Sequence, residues 1–217
     1  SMPYRVSVGY TGQEGILKGS DYKRVTAGFN INPSLFDKHL NININGKYSY
    51  SKTNPGGQDA VGAAVSMDPT RPVKSSDEKF KNWGGYWQWA LPTTSYDPTF
   101  PYNRNDDAPT NPVEKVENYD FYKSAHILLG NVEADYKIHG FEDLHLHANI
   151  AGEYSTGGEY NTNNPQSTYG FYYGGNSENK EKKYNVVATA YAQYTKDFNK
   201  ANHFDIMAGY EYSHMKY

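Results

Sequence analysis

Aromatic residues with charged neighbours are the first candidates for chemistry in this sequence. All three tryptophans fall within residues 82–107, with Tyr86, Tyr96, Tyr102, Arg104, Asp106 and Asp107 nearby. Aromatic rings stack on sugar rings or peptide side chains, and arginine and carboxylates hydrogen-bond polar groups. Contact with a ligand is one interpretation of this stretch, and packing of a loop on itself is the alternative. The candidate contact residues are Trp83, Tyr86, Trp87, Trp89, Tyr96, Tyr102, Arg104 and Asp106.

A second aromatic group lies in residues 155–183, a stretch that is rich in Gly, Asn and Tyr and low in aliphatic residues. This composition is typical of a mobile surface loop. Four aromatic side chains near its middle could grip a ligand or a partner protein. These four candidates are Tyr169, Phe171, Tyr172 and Tyr173.

Metal and catalytic groups are weakly represented. Residues 103–107 read NRNDD, which suggests a calcium loop, but the EF-hand spacing is absent and a solvated turn is the better interpretation. His145 and His147 share one strand face without an evident third ligand, so a polar lining is favoured over a metal site. No phosphate-binding loop, nucleophile elbow or HExxH motif is present. We therefore predict no metal, no cofactor and no enzymatic activity.

The composition narrows the class of protein. The 217 residues carry a formal net charge of −3, so there is no basic excess that would attract nucleic acid. Cysteine is absent, and no apolar run is long enough for a membrane helix. The mean hydropathy of −0.86 does not exclude a lipid-facing β-barrel, because only alternate residues of such strands are apolar.

Alternation with a period of two is the dominant pattern. In residues 39–50 the even positions are mostly aliphatic or tyrosine, and the odd positions are almost all polar. Such a strand has one apolar face, which points into the core of a soluble sandwich or into lipid around an outer-membrane barrel. Most of the segments are longer than the 5–6 residues of an average globular strand. About seven segments share the pattern: 4–10, 22–31, 39–50, 126–138, 144–154, 184–194 and 204–212.

The connections between these segments differ in length. Residues 32–38, 139–143 and 197–202 are short and turn-like, whereas 51–118 and 155–183 are long. Short turns that alternate with long loops are typical of an outer-membrane barrel, and compact soluble domains seldom contain so long a loop. The alternative is a soluble β-sandwich that binds carbohydrate, or an adhesin-like surface module.

Several motifs in order resemble one family. The first is YRVSVGYTGQEGILKGSDYKRVTAGFNINPSLFDKHLNININGKYSYSKTN, which begins at Tyr4. AVSMDPTRPV at 64–73, YDPTF at 96–100 and NPVEKVEN at 111–118 follow it. The sequence resembles, across most of its length, the barrel of the SusC/RagA family of TonB-dependent outer-membrane transporters.

The resemblance implies an all-β fold, in which long antiparallel meander strands form part of a large barrel with short periplasmic turns and long extracellular loops. Residues 3–217 would be an early part of a barrel of about 22 strands. Residues 1–2 are expected to be a cloning remnant, and we identify no plug domain and no TonB box. Ile42 and Ile44 would face lipid, Asn43 and Asn45 would face the lumen, and Tyr48 would join the outer aromatic girdle.

The resemblance also implies a function and partners. The parent protein would import glycans or peptides across the outer membrane with a SusD-like lipoprotein lid and the TonB complex. This chain would supply barrel wall and extracellular loops, and the aromatic candidates would contact the substrate or the lid. About seven strands cannot close such a barrel, so we expect the isolated chain to associate with itself through its sheet faces.

Overall fold

The computed structural model describes residues 2–93, 98–170, 172–199 and 202–217. Tyr96 and Phe171, two of the candidate contact residues, lie outside these ranges. The elements are β1 (Tyr4–Glu14), β2 (Asp21–Ile31), β3 (Ser34–Leu35), β4 (Leu40–Asn54), α1 (Asp59–Ser66), a 3-10 helix (Glu78–Trp83), β5 (Ala90–Pro92), β6 (Tyr102–Arg104), α2 (Pro112–Glu117), β7 (Asp120–Lys137), β8 (Leu144–Asn163), β9 (Gly175–Asn199) and β10 (Asn202–Lys216).

Seven long strands form one open antiparallel sheet. Their order is β1-β2-β4-β7-β8-β9-β10, and the short β3 pairs with β4. The predicted all-β meander of about seven strands is therefore confirmed. The alternative of a β-sandwich is wrong, because the only other sheet among the described residues is the two-stranded β5–β6 pair. Within the same ranges, no helix has the length and apolar character needed to cross a bilayer.

The strand register gathers the apolar residues on one face of the sheet. Ile31 lies opposite Ile44, Ile44 opposite Val132, and Val132 opposite Ile150. Directly opposed residues of an antiparallel pair point to the same side, so these rows form a continuous apolar face. That face is open to its surroundings, since Val6 is 70% exposed and Ile150 is 61% exposed. An uncovered apolar sheet face is typical of a wall that lies against lipid.

The height of the apolar face matches a bilayer. On β8 it extends from Leu144 to Tyr154, which corresponds to about 33 Å of extended strand. A strand that is tilted by about 40° rises about 25 Å over that length, the height of the apolar band of outer-membrane barrels.

Two strands continue well beyond the apolar face. The prediction of a loop over 155–183 is wrong at both of its ends, because β8 runs to Asn163 and β9 begins at Gly175. Aliphatic alternation stops there, yet pairing continues through polar and aromatic neighbours. Tyr122 stacks on Tyr160 with ring centroids 4.7 Å apart, for example. The remaining loop is residues 164–174.

The buried core of the described chain lies in the loops and not in the sheet. The long stretch between β4 and β7, predicted as one long loop, contains both α-helices, the 3-10 helix and the β5–β6 pair. A sheet with lipid on one side and water on the other needs no core of its own, whereas long loops must bury their own apolar groups to stay ordered. The largest fully buried side chains are Trp83, Phe80, Gln88, Glu114, Asn111 and Ser167.

The two faces of β4 provide a test of the orientation. In a membrane-inserted receptor that carries this segment, Asn43→Cys should react with a water-soluble maleimide, because its side chain points away from the apolar face. Ile42→Cys should react only with a lipid-soluble reagent. Equal reaction of both cysteines with the water-soluble reagent would contradict the lipid-facing assignment.

Candidate binding surface at the loop edge

Glu117, at the end of α2, joins the loop between β1 and β2 to another segment of the long β4–β7 loop. Its Oε2 accepts a hydrogen bond from the Tyr86 hydroxyl, and its Oε1 accepts one from Lys18 Nζ at 3.2 Å. The Tyr86 hydrogen bond and the Lys18 charge lower the pKa of Glu117. Burial, together with Glu117, raises the pKa of Tyr86 to about 12. At neutral pH Tyr86 is therefore the donor and Glu117 the charged acceptor.

Glu114 holds the 164–174 loop against α2. Its side chain is fully buried, and its Oε1 accepts from the Thr168 backbone N–H at 2.9 Å. The Thr168 hydroxyl donates to Oε2 at 2.6 Å, and Asn118 Nδ2 donates to Oε1 at 3.1 Å. A buried carboxylate is costly unless it is hydrogen-bonded, so these donors are what allows Glu114 to stay inside.

Asn111 begins α2 and fixes the neighbouring segment. Its side-chain oxygen caps the helix by accepting from two backbone N–H groups of the first turn. Its Nδ2 donates to the carbonyls of Val73 at 2.8 Å and Trp87 at 3.1 Å, and its backbone N–H donates to Gln88 Oε1 at 3.0 Å. The start of α2 therefore positions the chain on which Trp87 lies.

Trp87, Trp89 and Arg71 form what we call the Trp–Arg cluster. The two indole rings meet edge to face with centroids 5.0 Å apart. The Arg71 guanidinium lies 5.3 Å from the Trp87 ring centre and 5.0 Å from that of Trp89, within cation–π range. Asp68 orients the arginine through a 3.2 Å contact between its Oδ2 and Arg71 Nε. Both tryptophans are partly exposed, so the cluster can contact a ligand.

Tyr169 is used to dock one loop on another. Its hydroxyl donates to Asp59 Oδ2 at 3.2 Å, and Lys115 Nζ lies 4.7 Å from its ring centre. Burial first, and then the Asp59 charge, raise the pKa of Tyr169 above its usual range. The Lys115 ammonium, 2.9 Å from Asp59, lowers the pKa of that carboxyl.

Tyr172 and Tyr173 meet a neighbouring loop at Phe100. Their ring centroids lie 4.8 Å and 5.3 Å from that of Phe100. The Tyr172 hydroxyl also donates to Asn103 Oδ1. Tyr173 is 74% exposed and is the most accessible of the described candidates in this loop.

The remaining candidates divide into exposed and buried groups. Arg104, at the end of β6, contacts Asp106 with its Nη2 2.5 Å from Oδ1, and Asp106 is largely exposed. Tyr102, on the same strand, is partly buried. Trp83 is 1% exposed and Tyr86 is 6% exposed, so in this conformation both support the loops from inside. The described candidates therefore occupy several positions and do not line one common pocket.

The face of the sheet opposite the apolar face carries a ladder of asparagine amides. Asn30 Nδ2 donates to Asn43 Oδ1 at 2.9 Å, and Asn45 Nδ2 donates to Asn131 Oδ1 at 2.9 Å. A longer contact of 3.5 Å continues from Asn131 to Asn149 on β8. Each amide carries both donors and acceptors, so the ladder presents a neutral hydrogen-bonding surface. We call this side of the sheet the polar face.

Comparison with known proteins places the chain in a family. No protein-family model matches the sequence. The chain is 41% identical over 216 residues to the TonB-dependent receptor SusC of Bacteroides thetaiotaomicron, and the match covers 99% of the chain and 21% of that receptor. The chain belongs to the SusC/RagA family of TonB-dependent outer-membrane transporters. It spans about a fifth of the length of this relative.

Solved structures agree with the SusC/RagA fold. A structure of the RagAB peptide transporter superposes with a TM-score of 0.63 and 15% identity, covering 100% of this chain and 24% of the matched chain. The RagAB peptide importer in the closed-closed state gives a TM-score of 0.65 and 16% identity, covering 98% and 22%. At these identities the likeness concerns the fold. The open sheet described above therefore corresponds to part of a SusC/RagA barrel wall in the outer membrane.

Histidines and carboxylates lie together on the polar face of this SusC/RagA segment. His145 Nδ1 is 3.5 Å from Asp135 Oδ1, and His147 Nε2 is 3.7 Å from Glu133 Oε1. Within the described ranges, no three His, Cys, Asp or Glu side chains are arranged to hold a metal ion. His147 instead stacks on Tyr191 with centroids 4.5 Å apart, which makes these groups part of a polar wall.

The sequence analysis missed several residues that organise the loop cluster, by which we mean the packed loops between β1 and β2, between β4 and β7, and at residues 164–174. Arg71 stands in the family motif at 64–73, where Asp68-Pro predicts a turn that brings the arginine back onto its aspartate. Asn111-Pro, followed by Glu114, has the spacing of a helix start, and this signal could have located α2. No local signal indicates that Glu114 bonds to Thr168, since that contact depends on how distant loops fold together.

Proposed function

We propose that this chain supplies barrel wall and extracellular loops to a TonB-dependent importer of glycans or peptides that works with a SusD-like lipoprotein. One observation carries the proposal: the sheet has no buried face, while the loops along one edge have a packed core of their own. The sheet suits a wall between lipid and a wet lumen, and the ordered loops suit recognition at its rim.

The Trp–Arg cluster is the proposed contact for substrate. It combines two partly exposed indole rings with an arginine that is 42% exposed and held by Asp68. Indole faces stack on sugar rings or on peptide side chains, and a guanidinium bonds hydroxyl, carbonyl or carboxylate oxygens. Both substrate classes fit this chemistry, so the experiment below includes both.

The other exposed aromatic and charged groups are the proposed contact for the lipoprotein. Tyr173 and Asp106 are the most exposed of the described candidates, and Arg104 is oriented by Asp106. Exposed tyrosine and arginine side chains are common energetic anchors of protein interfaces. Tyr96 and Phe171 belong to the same stretches of sequence and remain part of this proposal.

The polar face is the proposed lining of the passage. Its asparagine ladder offers neutral donors and acceptors in a row, which can exchange hydrogen bonds with a polar substrate that moves past them. In this proposal, energy reaches the transporter through TonB, which acts on other parts of the receptor.

Replacing both tryptophans tests the substrate contact. In the receptor that carries this segment, Trp87→Ala with Trp89→Ala should weaken substrate binding about 5- to 150-fold, because each aromatic contact contributes about 0.5–1.5 kcal/mol. Calorimetry with panels of oligosaccharides and peptides would measure the loss and identify the class. Phe141→Ala is the matched control, since Phe141 is an exposed aromatic residue in the turn between β7 and β8, at the end of the strands away from the long loops.

Receptor yield and lipoprotein binding are measured for each variant beside its substrate affinity. Unchanged affinity for every substrate that the unmodified receptor binds would reject the Trp–Arg cluster as a substrate contact. If Phe141→Ala lowers the substrate affinity equally, the loss reflects reduced stability of the receptor, and that result would also count against the proposal.

A further inference from the structure

A row of lysines borders the apolar face at the loop edge. Strand register places them on the same side of the sheet as the apolar rows: Lys23 lies opposite Lys52, and Lys52 connects through Ser124 and Gly158 to Lys180. On β9 and β10 the row continues beside Tyr184, which lies opposite a lysine of β10. We call this set the lysine rim, and its members are Lys23, Lys52, Lys180, Lys182 and Lys216.

The lysine rim lies where the apolar face ends. Between Tyr184 and Tyr194 the residues of β9 that point to this side are a valine and three alanines, without a charge. Lys182 follows two positions beyond Tyr184, about 7 Å farther along the strand. Because the whole chain has a formal net charge of −3, the concentration of lysine at this border is a local feature.

Carboxylates neutralise only part of the lysine rim. Lys23 contacts Asp21 at 3.2 Å, and Lys180 contacts a glutamate on its own strand at 2.8 Å. Lys52 Nζ lies 4.1 Å from the ring centre of Tyr122. None of Lys52, Lys182 and Lys216 forms an ion pair with a described carboxylate. Two like charges directly opposite each other, as at Lys23 and Lys52, are unfavourable unless an anion lies between them.

A groove runs across the apolar face below the lysine rim. Gly46, Gly130 and Gly152 lie directly opposite one another on three neighbouring strands, so this row has no side chains. The resulting groove has a volume of about 520 Å³. The ring of Phe29 closes one end, since a Cβ on Gly46 would lie 2.3 Å from that ring. Leu128, Tyr154, Tyr184 and Val186 line it from the apolar face, and residues of the alternate positions, Asn45, Leu129, Glu153 and Asn185, complete the lining.

We propose that the lysine rim and this groove together bind an anionic phospholipid of the surrounding membrane, one whose phosphate charge is not balanced by a cation in the headgroup. Lys52 and Lys182 flank the negatively charged headgroup, and an acyl chain lies in the groove. The spacing fits, because Val186 and Gly46 lie about 13 Å and about 20 Å along their strands from these lysines, the length of an acyl chain. Lysine stems reach along apolar surface while the ammonium stays at the headgroup level. The site requires only that the segment lies in a membrane, and not that transport proceeds as proposed above.

Charge-removing variants test the headgroup contact. The receptor that carries this segment is placed in nanodiscs of phosphatidylcholine with phosphatidylglycerol, and bound lipid is counted by native mass spectrometry. Lys52→Gln with Lys182→Gln should lower the affinity for phosphatidylglycerol about tenfold. Lys47→Gln with Lys183→Gln is the matched control, because these lysines lie on the same two strands and point to the polar face. Equal losses in the two pairs would overturn the proposal.

A groove-filling variant tests the acyl contact without a change of charge. Gly152→Leu should displace the bound lipid, and the site has room for it, since a Cβ there would lie 3.8 Å from its nearest neighbour, the Asn185 carbonyl oxygen. Free inorganic phosphate should not compete with the lipid. Full competition by phosphate would indicate a site for a free anion and reject the lipid, as would equal retention of phosphatidylcholine. Circular dichroism of each variant monitors the barrel, and unchanged lipid binding by a folded Gly152→Leu receptor contradicts the groove.

Discussion

In plain buffer the isolated 217-residue chain should form large, heterogeneous particles, and only detergent or a bilayer should keep it dispersed. The apolar face is uncovered, and the loops pack on one another instead of folding back over it. The outer edges of β1 and β10 have no partner strand among the described residues, so they can pair with other chains. Burial of apolar surface stabilises by about 25 cal/mol per Å², which makes a face of seven strands a large driving force. Light scattering with and without detergent measures the difference.

Matched substitutions on one strand pair identify the face responsible. Val132→Glu with Ile150→Glu places charges on the apolar face and should reduce the particle size in buffer. Asn131→Glu with Asn149→Glu introduces the same charges on the polar face of the same strands and should leave the particles unchanged. A monodisperse monomer of the unmodified chain in buffer would contradict both the association and the lipid-facing assignment.

Replacing Glu114 by alanine should release the 164–174 loop from α2 at a cost of about 3 kcal/mol. The substitution removes three hydrogen bonds to a buried carboxylate, and it leaves the Thr168 N–H without its acceptor. Hydrogen exchange in the receptor would report the change as about a hundredfold loss of protection at Thr168. The exchange of the central β7–β8 pairing should not change, because the loop contributes nothing to it.

Glu159→Ala is the control for this experiment. Glu159 also pairs with a neighbouring side chain, Lys123, but both groups are about half exposed, so its loss should cost less than about 1 kcal/mol. A Glu114→Gln variant keeps the shape of the side chain and should restore part of the protection. If the alanine variant exchanges at Thr168 as slowly as the unmodified receptor, Glu114 does not hold this loop.

The strands and their faces were predictable because apolar and polar residues alternate along each strand in the sequence. Ile42 and Ile44 share a face with the apolar residues of the six other long strands, and in each strand the alternation is visible in its own sequence. The extensions of β8 and β9 were not predictable in this way. Around Tyr160 the pairing depends on the partner strand and on ring stacking, and the sequence there has the composition of a loop.

The loop cluster was only partly predictable for a related reason. The abundance of aromatic residues indicated a special stretch, but composition does not distinguish Trp83, which is buried, from Trp87, which is partly exposed. The contact between Glu114 and Thr168 joins residues 54 positions apart, and no periodic pattern encodes such a contact. Side chains that organise loops therefore had to be found in three dimensions.

The joint at Glu117 has a mechanical consequence. Because one carboxylate bonds both Lys18 and Tyr86, it links the first loop to the long loop. A partner that displaces the first loop would thereby also displace the Trp–Arg cluster, with no change in the barrel wall. Since the loops already have a packed core of their own, a ligand would also spend little of its binding free energy on ordering them.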